Sequence, residues 1–390
     1  MPPPDNAELA HSRDLSRLIE AEIDQAGGAI SFDRYMDRVL YAPGLGYYCG
    51  GKRKFGAAGD FITAPEISPL FSRCLGKQCQ QVLERIDGGR ILEFGPGSGL
   101  MAAEILYWLA RHDCLPEEYL LLDISADLRE LQQTTLQRHV PELMHRVRWL
   151  DTLPEAGFQG VMLANEVLDA MPVHRIDFSA SPPTELCVRR ADRDGFSWQT
   201  RPVRDERLLA QISRIAVTMD QPVIAMSYVS EINIAARDWI GSISDILSRG
   251  LVLLIDYGFP RREFYHAERR DGTLMCHYRH RTHGNPLVLP GLQDITAHVD
   301  FTAIAEAALD HRLEVAGYTT QAHFLLSAGL PRILEQAMGE ELSQQITLNQ
   351  QIKKLTLPHE MGELFKVMAL TKNLEIALQG FSEYDMRNRL

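Results

Sequence analysis

The segment from Ile91 to Gly99 constrains the fold of this chain most, because it reads Ile-Leu-Glu-Phe-Gly-Pro-Gly-Ser-Gly. Its apolar start is typical of the end of a buried strand, and Leu100–Ala110 after it has the composition of a helix. Glycines at 95, 97 and 99 would allow a tight turn and a close approach of the backbone to a ligand. The segment predicts the first strand-to-helix turn of an open α/β sheet, where free helix amides face a nucleotide-type ligand.

The spacing of these glycines distinguishes between two classes of ligand. A dinucleotide fingerprint requires G-x-G-x-x-G, but here the third glycine, Gly99, comes one residue early and Leu100 occupies the sixth position. Glu93, two residues before Gly95, would repel a pyrophosphate and would suit a cationic amine. We therefore expect Glu93, Gly95, Gly97 and Gly99 to bind S-adenosylmethionine; an ordinary tight turn is the alternative at this point.

Two further apolar runs end in acids at positions that suit the same ligand. Tyr119–Asp123 predicts the second strand, and Asp123 at its end is expected to accept hydrogen bonds from ribose hydroxyls. Ser125 is predicted to bind the cofactor too, with N-capping of the next helix as the alternative. Asp151 and Thr152 follow a third run and would lie near the adenine amino group, unless Asp151 serves only in a turn.

Polar residues also cluster after the predicted fourth strand, Gly160–Asn165. The carboxyl ends of parallel strands meet at the edge where open α/β sheets bind ligands. Asn165 is therefore predicted to contact the cofactor. Glu166 and Asp169 are three residues apart, so on a helical turn they would share one face. Leu251–Asp256 predicts the fifth strand.

The remaining pattern predicts how the chain is divided. We expect an N-terminal helical region with a cofactor lid loop at 1–88, and a methyltransferase-type α/β domain at 89–390. Residues 173–225 break the α/β alternation with short strand-like runs, which predicts a β-rich insertion between strands four and five. Residues 330–360 predict a C-terminal helical segment.

Two late apolar runs complete the predicted sheet. Leu313–Leu326 can hold a sixth strand and Leu364–Leu370 a seventh.

Composition disfavours several classes of partner. A net charge of −12, from 40 basic and 52 acidic residues, argues against general binding of nucleic acid or anionic membranes. No apolar run approaches the ~20 residues of a membrane span, and no secretory signal is expected. The six cysteines show no pairing pattern and are typical of reduced thiols, so we expect a cytoplasmic protein. The spacing in Cys276–His283 matches no familiar zinc pattern, and no metal site is predicted.

Six motifs in order give the chain a resemblance to a known family. They are Tyr41–Tyr48, Gly59–Ser68, Glu93–Gly99, Asn165–Pro172, Leu254–Gly258 and Asp294–Phe301. With them the sequence resembles the MidA-like family of S-adenosylmethionine-dependent methyltransferases. The resemblance implies a class I fold, which is a Rossmann-like sheet of seven strands, with S-adenosyl-L-methionine as cofactor.

The resemblance also implies an acceptor. Mitochondrial members act in the assembly of respiratory complex I and methylate an arginine of one subunit. The implied partner is therefore a protein that carries a target arginine, with a complex I subunit as candidate. The oligomeric state is left open, with a homodimer as one candidate.

An arginine acceptor sets requirements on the site. A guanidinium is cationic and a poor nucleophile, so carboxylates must hold it bidentately and aim one nitrogen at the methyl group. Glu66, Glu166 and Asp169 are the candidates for this catalytic role. Glu66 follows Pro65, so it is alternatively a first-turn acid of a helix.

A loop and a second polar group complete the predicted site. The loop at 56–65 is expected to close over the cofactor, with Asp60 and Thr63 at its methionine end. Asp294, His298 and Asp300 would line the acceptor side.

Two other functions stay open from the sequence. One is a small-molecule or nucleic-acid methyltransferase on the same fold, although a base amino-methylase should show Asn/Asp-Pro-Pro-aromatic where this chain has Asn165-Glu-Val-Leu168. The other is an S-adenosylmethionine-binding assembly factor with little catalysis.

Overall fold

The computed structural model describes residues 2–50, 63–218, 227–338 and 342–390. The helices in chain order are α1 (Asn6–Gln25), α2 (Phe32–Tyr41), α3 (Ala64–Ile67), α4 (Pro69–Ile86), α5 (Leu100–Arg111), α6 (Ala126–His139), α7 (Glu206–Thr218), α8 (Ile234–Ile246), α9 (Arg261–Phe264), α10 (Phe301–Asp310), α11 (Gln321–Ser327), α12 (Leu330–Ala337) and α13 (Leu342–Thr356). Across these described stretches, no helix is both long enough and apolar enough to cross a membrane.

The strands alternate with these helices along much of the chain. They are β1 (Ile30–Ser31), β2 (Arg90–Phe94), β3 (Tyr119–Leu122), β4 (Val147–Leu150), β5 (Phe158–Asn165), β6 (His174–Asp177), β7 (Thr184–Arg190), β8 (Phe196–Pro202), β9 (Val229–Ile232), β10 (Leu247–Phe259), β11 (Met275–Tyr278), β12 (Arg281–His283), β13 (Asp294–Thr296), β14 (Val299–Asp300), β15 (Glu314–Thr320) and β16 (Phe365–Lys372).

The chain forms two compact units, each assembled from three segments. We name them by their sheets. The parallel unit comprises Ile62–Val167, Trp239–Gly258 and Phe301–Leu390, and the antiparallel unit comprises Met1–Phe61, Leu168–Asp238 and Phe259–Asp300.

The parallel unit holds a sheet in the order β15-β16-β10-β5-β2-β3-β4. The strands β4, β3, β2, β5 and β10 run parallel, and β16 pairs antiparallel with both β10 and β15. The strand order reverses at β2, which lies between β5 and β3, and this is the switch point at which open α/β sheets bind ligands. The structure therefore confirms the predicted class I sheet with seven strands.

Helix α4 differs from its predicted place in an N-terminal region. Its apolar side chains, among them Leu75 and Val82, belong to the same core as Ile91 and Leu163 of the sheet and Leu106 of α5. Such burial of apolar area is the main stabilising term in folding. Because α4 packs on this sheet, the structural division falls near residue 62 rather than at the predicted 88.

The antiparallel unit contains residues 173–225, for which we predicted a β-rich insertion. The strands β6, β7 and β8 form a meander, extended by β1 at one side and by β9 at the other, and β12-β11-β13 form a separate small sheet. Helix α7 also lies within residues 173–225, for which we predicted a β-rich insertion and named no helix. It buries Leu208, Ile212 and Ile215, which recur at helical spacing on one face.

The helical turn predicted for Glu166 and Asp169 is absent, so that prediction was wrong. Residues 165–171 contain bends and turns but no helix. The amide of Glu166 still donates to the Ile255 carbonyl at 2.9 Å, as a continuation of the sheet would. Glu166 then adopts a left-handed φ of 53°, which an L-residue accepts only at a turn and not within a right-handed helix.

Candidate functional site

The glycine turn after β2 has the conformation that the sequence predicts. Gly95, Gly97 and Gly99 have φ values of 58°, 54° and 83°, all in the left-handed region. A Cβ added to Gly99 would lie 3.1 Å from the Cα of Gln132, so the space is restricted as well. Gly99 is the N-cap of α5 and offers no side chain to its first amides. These amides are therefore left for a ligand.

Gln132 of α6 joins the glycine turn to the end of β3, and sequence analysis missed it. Its fully buried side chain donates from Nε2 to Asp123 Oδ2 at 2.7 Å and to the Gly97 carbonyl at 3.1 Å. Its Oε1 accepts from Trp149 Nε1 at 2.9 Å. These partners are distant in sequence, so no local pattern could have indicated the role.

Asp123 directly follows β3, as expected for a ribose ligand. Its Oδ1 accepts from the Ser125 amide at 2.9 Å, and the side chain is largely buried. Burial raises the pKa of this carboxyl above its usual value, although hydrogen bonds from Ser125 and Gln132 lower it in part. The carboxylate is thus held in one orientation at the carboxyl edge of the sheet.

The two neighbours of Asp123 have different environments. Ser125 is buried and accepts from the Leu128 amide at 3.5 Å, which supports the N-capping alternative. Ile124 is 64% exposed, unusually so for a large aliphatic side chain beside a buried acid. Its apolar surface could cover a flat base next to the ribose. In the sequence, this apolar surface could have been recognised from the isoleucine that immediately follows the strand-ending acid.

Arg129 connects the ends of β3 and β4. It donates to the Asp123 carbonyl at 2.9 and 2.6 Å and to the Leu150 carbonyl at 2.7 Å. It also pairs with Asp151 Oδ1 at 2.7 Å, although the Asp151 side chain is 88% exposed. Thr152 is exposed too. The adenine contact predicted for Asp151 and Thr152 stays a prediction.

Glu93 lies in β2 with no exposed surface. Its Oε2 accepts from the Tyr119 hydroxyl, whereas its Oε1 has no hydrogen-bond partner among the described residues. Burial raises the pKa of Glu93 to about 8; the Tyr119 hydrogen bond opposes this shift and the Asp123 charge adds to it. The direct contact with the cofactor that we predicted for Glu93 stays a prediction.

Glu66 approaches the glycine turn through Ser98. The Ser98 hydroxyl donates to Glu66 Oε1, which joins α3 to the turn. Thr63 is the N-cap residue of α3, but its side chain makes no capping hydrogen bond. Glu66 is thus a first-turn acid, as in the alternative, and also a neighbour of the cofactor turn. Asp60 and most of the predicted lid lie outside the described residues.

Asn165 and Glu166 lie together at the carboxyl end of β5. Asn165 Nδ2 donates to Glu166 Oε1 at 3.1 Å. Asn165 is largely buried and Glu166 is half-buried. The structure therefore places both at the same edge of the parallel sheet as Asp123.

Asp169 belongs to the antiparallel unit, where it lies near Asp294 and two tyrosines. The rings of Tyr41 and Tyr48 stack with centroids 5.5 Å apart, and the Tyr48 hydroxyl donates to Asp294 Oδ1 at 3.0 Å. The Tyr41 hydroxyl donates to the Ala170 carbonyl at 2.8 Å. Burial, and then the charges of Asp294 and Asp169, raise the pKa of Tyr41. Sequence analysis missed both tyrosines as members of this group.

The residues of the second polar cluster that we predicted have the following contacts. Asp294 lies with the tyrosines, whereas Asp300 Oδ2 accepts from the buried Arg261 at 3.3 Å. The His298 ring packs near the Phe259 ring, with centroids 5.4 Å apart. The joint role predicted for Asp294, His298 and Asp300 stays a prediction.

The residues of the parallel unit fit S-adenosyl-L-methionine. Its three left-handed glycines, the uncapped α5 amides, the strand-ending Asp123 and the exposed Ile124 offer backbone donors, a ribose acceptor and an apolar surface. None of these groups requires a phosphate on the ligand.

Comparison with known proteins agrees with this fit. A sequence-family model for S-adenosyl-L-methionine-dependent methyltransferases matches residues 74–319. The crystal structure of a Burkholderia thailandensis protein bound to S-adenosyl-homocysteine superposes with a TM-score of 0.94 at 44% identity, over 100% of both chains. A second crystal structure from that organism superposes with a TM-score of 0.92 at 43% identity, again over both whole chains.

Curated relatives are more distant and carry more specific names. A Drosophila melanogaster protein named as a mitochondrial protein arginine methyltransferase, an NDUFAF7 homolog, is 27% identical over 93% of this chain and 86% of its own length. The Rattus norvegicus protein arginine methyltransferase NDUFAF7 is 29% identical over 96% of this chain and 88% of its own length.

Proposed function

The chain belongs to the family of S-adenosyl-L-methionine-dependent methyltransferases, and we propose that it methylates an arginine side chain of a partner protein. S-adenosyl-L-methionine is its cofactor. The observation that carries the arginine proposal is that relatives named as protein arginine methyltransferases align with 93% and 96% of the chain. A match over this length includes both units and not only the cofactor-binding sheet.

The cofactor, when bound, supplies a methyl group on a sulfonium leaving group. The remaining work of the protein is to position the acceptor and to exclude water. A guanidinium that attacks must lose a proton and must present one nitrogen along the line of displacement. Carboxylates can serve both needs, because they hold the cation in a plane through bidentate hydrogen bonds and can accept the proton that the guanidinium loses.

Glu66 is the first candidate for this role. Ser98 holds Oε1 of its carboxylate beside the glycine turn, which fixes the direction of the group at little further entropic cost. Glu166 is the second candidate, since Asn165 orients it at the end of β5.

Asp169 and Asp294 are candidates for binding a cationic partner segment. They lie with the stacked Tyr41 and Tyr48 in the antiparallel unit, and aromatic faces attract guanidinium groups. We propose a protein partner in the cytoplasm, with a respiratory complex I subunit as the candidate that the resemblance implies.

The test is methyl transfer from labelled cofactor into extract of cells that lack this protein, followed by mass spectrometry. Label on a protein arginine is the expected result. Label in the small-molecule fraction would contradict the proposal and indicate that the protein methylates a small molecule. Cofactor binding without any transfer would replace it with an assembly factor.

Variants of two glutamates sharpen this test. Glu66→Gln should reduce transfer by at least about tenfold while cofactor affinity stays near that of the wild type, because a group that acts mainly on the acceptor contributes to the transition state. Glu130→Gln is the matched control, since Glu130 is exposed on α6. Equal transfer by the two variants would remove Glu66 from the proposed site.

A further inference from the structure

Three side chains with metal-ligand chemistry converge within the antiparallel unit. They are Asp33, His174 and Glu185, and one ligand atom of each lies within 4.8 Å of the other two. His174 Nδ1 lies 2.7 Å from Glu185 Oε1 and 3.4 Å from Asp33 Oδ1. Around a tetrahedral ion with bonds of about 2.0–2.1 Å, neighbouring ligand atoms are about 3.3 Å apart. The two measured separations bracket this value.

The local structure explains the convergence. Asp33 lies in the first turn of α2, His174 opens β6 and Glu185 lies in β7. In the antiparallel register, Glu185 faces Ile176 of β6. His174 lies two residues before Ile176 in β6, so its side chain is on the same face of the sheet as that of Glu185. Three segments that are far apart in sequence thus present their ligand atoms at one point.

One oxygen of this group is not satisfied within the protein. Asp33 Oδ1 is buried and has no hydrogen-bond partner among the described residues. Its separation of 3.4 Å from His174 Nδ1 is beyond the usual range for a hydrogen bond. A buried carboxylate oxygen without a partner costs free energy, and a cation placed between the three ligand atoms would remove this cost.

We propose that Asp33, His174 and Glu185 bind a divalent cation, with Zn²⁺ as the ion that suits one imidazole and two carboxylates. Zinc accepts nitrogen and oxygen ligands in a four-coordinate site, and water would supply the fourth ligand. The side chains of Asp33, His174 and Glu185 are 26%, 13% and 14% exposed, which leaves the point within reach of an ion. Such an ion would connect α2 to β6 and β7.

A proton is the competing occupant of this position. Burial lowers the pKa of His174, but the Glu185 hydrogen bond and the charges of Asp33, Glu185 and Asp205 outweigh burial, and the pKa lies above its usual value. A protonated imidazole between two carboxylates would be an ion pair without a metal. Added zinc should bind and raise Tm if the position takes a metal ion, and it should do neither if the position holds only a proton.

The experiment uses the full chain, stripped of metal with a chelator and then titrated with ZnCl₂ by calorimetry and by thermal unfolding. We expect about one ion per chain and a rise of several degrees in Tm, because an ion that binds only the folded state stabilises it. Asp33→Asn and His174→Asn should each weaken binding by at least about tenfold, as loss of a ligand from a three-ligand site does.

Controls separate this site from unspecific binding and from misfolding. His139→Ala removes an exposed histidine of α6 and should leave the zinc titration unchanged. Asp33→Asn keeps the shape of the side chain, so a folded variant is expected even if His174→Asn is unstable. The proposal is overturned if the wild type binds no ion, or if Asp33→Asn and His174→Asn leave the affinity unchanged.

Discussion

Glu93 of the parallel unit and Glu231 of the antiparallel unit are both buried to 2% exposure or less, yet their carboxyl groups have different surroundings. Glu231 lies 3.4 Å from Arg175 Nε and accepts from the amide and the hydroxyl of Thr273 at 2.7 and 3.0 Å. Oε1 has no hydrogen-bond partner in the described part of the chain in either residue, but Oε1 of Glu231 lies beside the Arg175 guanidinium, whereas Glu93 accepts from the Tyr119 hydroxyl.

The difference lies in how each buried charge is compensated. A buried carboxylate with a cation and two donors fulfils a structural role, since its charge is compensated inside the fold. Glu93 has no ion-pair partner among the described residues and lies beside the glycine turn, where its pKa, raised to about 8, is of the kind found at functional sites. Glycines also have different roles in the two units. Gly99 belongs to the cofactor turn, whereas Gly272 leaves space for the Glu231 carboxylate.

The largest expected effect on cofactor binding comes from Gly99→Val. Its φ of 83° and the nearby Gln132 backbone exclude a branched side chain without movement of the turn. We expect cofactor affinity to fall by at least about 100-fold, which corresponds to ~2.7 kcal/mol. Calorimetric titration with S-adenosyl-L-methionine measures this.

The control for this variant lies in the same unit. Gly157 also has a left-handed φ, of 103°, but a Cβ there meets nothing within 4 Å. Gly157→Ala should therefore affect stability alone. Equal affinities of both variants would show that the glycine turn does not bind the cofactor.

Gly272→Ala should break the buried ion pair of the antiparallel unit. An added Cβ would lie 2.1 Å from Glu231 Oε1, so the carboxylate must move away from Arg175. Disrupting such a pair costs about 3–5 kcal/mol of the free energy of unfolding. Urea unfolding measures the loss, and cofactor affinity of the folded variant should stay near that of the wild type.

Gly195→Ala is the matched change in the same unit. Gly195 has a φ of 93° and nothing within 4 Å of an added Cβ. It should lose much less stability than Gly272→Ala. A similar loss in both would mean that backbone strain, and not the displaced Glu231, explains the effect.

Glu93→Gln should change how stability depends on pH. The pKa of Glu93 rises from 4.5 to about 8 on folding, so between these pH values the folded state binds more protons than the unfolded state. Stability contributed by this group therefore falls as pH rises through the window, by at most about 1.4 kcal/mol per pH unit. Glutamine removes the titration.

Denaturant unfolding of wild type and Glu93→Gln at several pH values checks this prediction. The variant should become progressively more stable than the wild type toward pH 8. Glu130→Gln, an exposed change, should follow the wild type. A constant difference between wild type and Glu93→Gln across the window would contradict the raised pKa.

The smallest expected effect is that of Asp151→Asn. Exposed ion pairs such as Asp151 with Arg129 contribute little, so cofactor affinity should change by less than about threefold. Asp123→Asn, at the buried acid, should weaken binding by about tenfold, since a charged acceptor is replaced by an amide. A larger loss of cofactor affinity in Asp151→Asn than in Asp123→Asn would support the predicted adenine contact. Calorimetric titration measures both.

Much of the parallel sheet was predictable because its signals are local. The apolar runs that end at Asp123, Asn165 and Asp256 are buried strands because central strands of a parallel sheet are covered on both faces. The glycine turn was predictable for a similar reason, since a left-handed φ selects glycine at each position independently of distant contacts.

The division of the chain was less predictable. Helix α4 precedes the sheet in sequence but packs on it, and α7 lies in a region that reads as strands. Glu166 and Asp169 are three residues apart, yet a turn separates them into different units. Local periodicity says what an element is, but packing decides where it lies.

The sequence by itself determined the class I sheet and the S-adenosyl-L-methionine turn, because strand patterns and glycine conformations are properties of short segments. Only the tertiary structure decided that Gln132 binds Asp123, that the buried Glu93 pairs with Tyr119, and that Asp33 lies beside His174. The physical reason is that these relations join residues distant in the chain. Their free energy comes from burial and from hydrogen bonds that exist only once the units are packed.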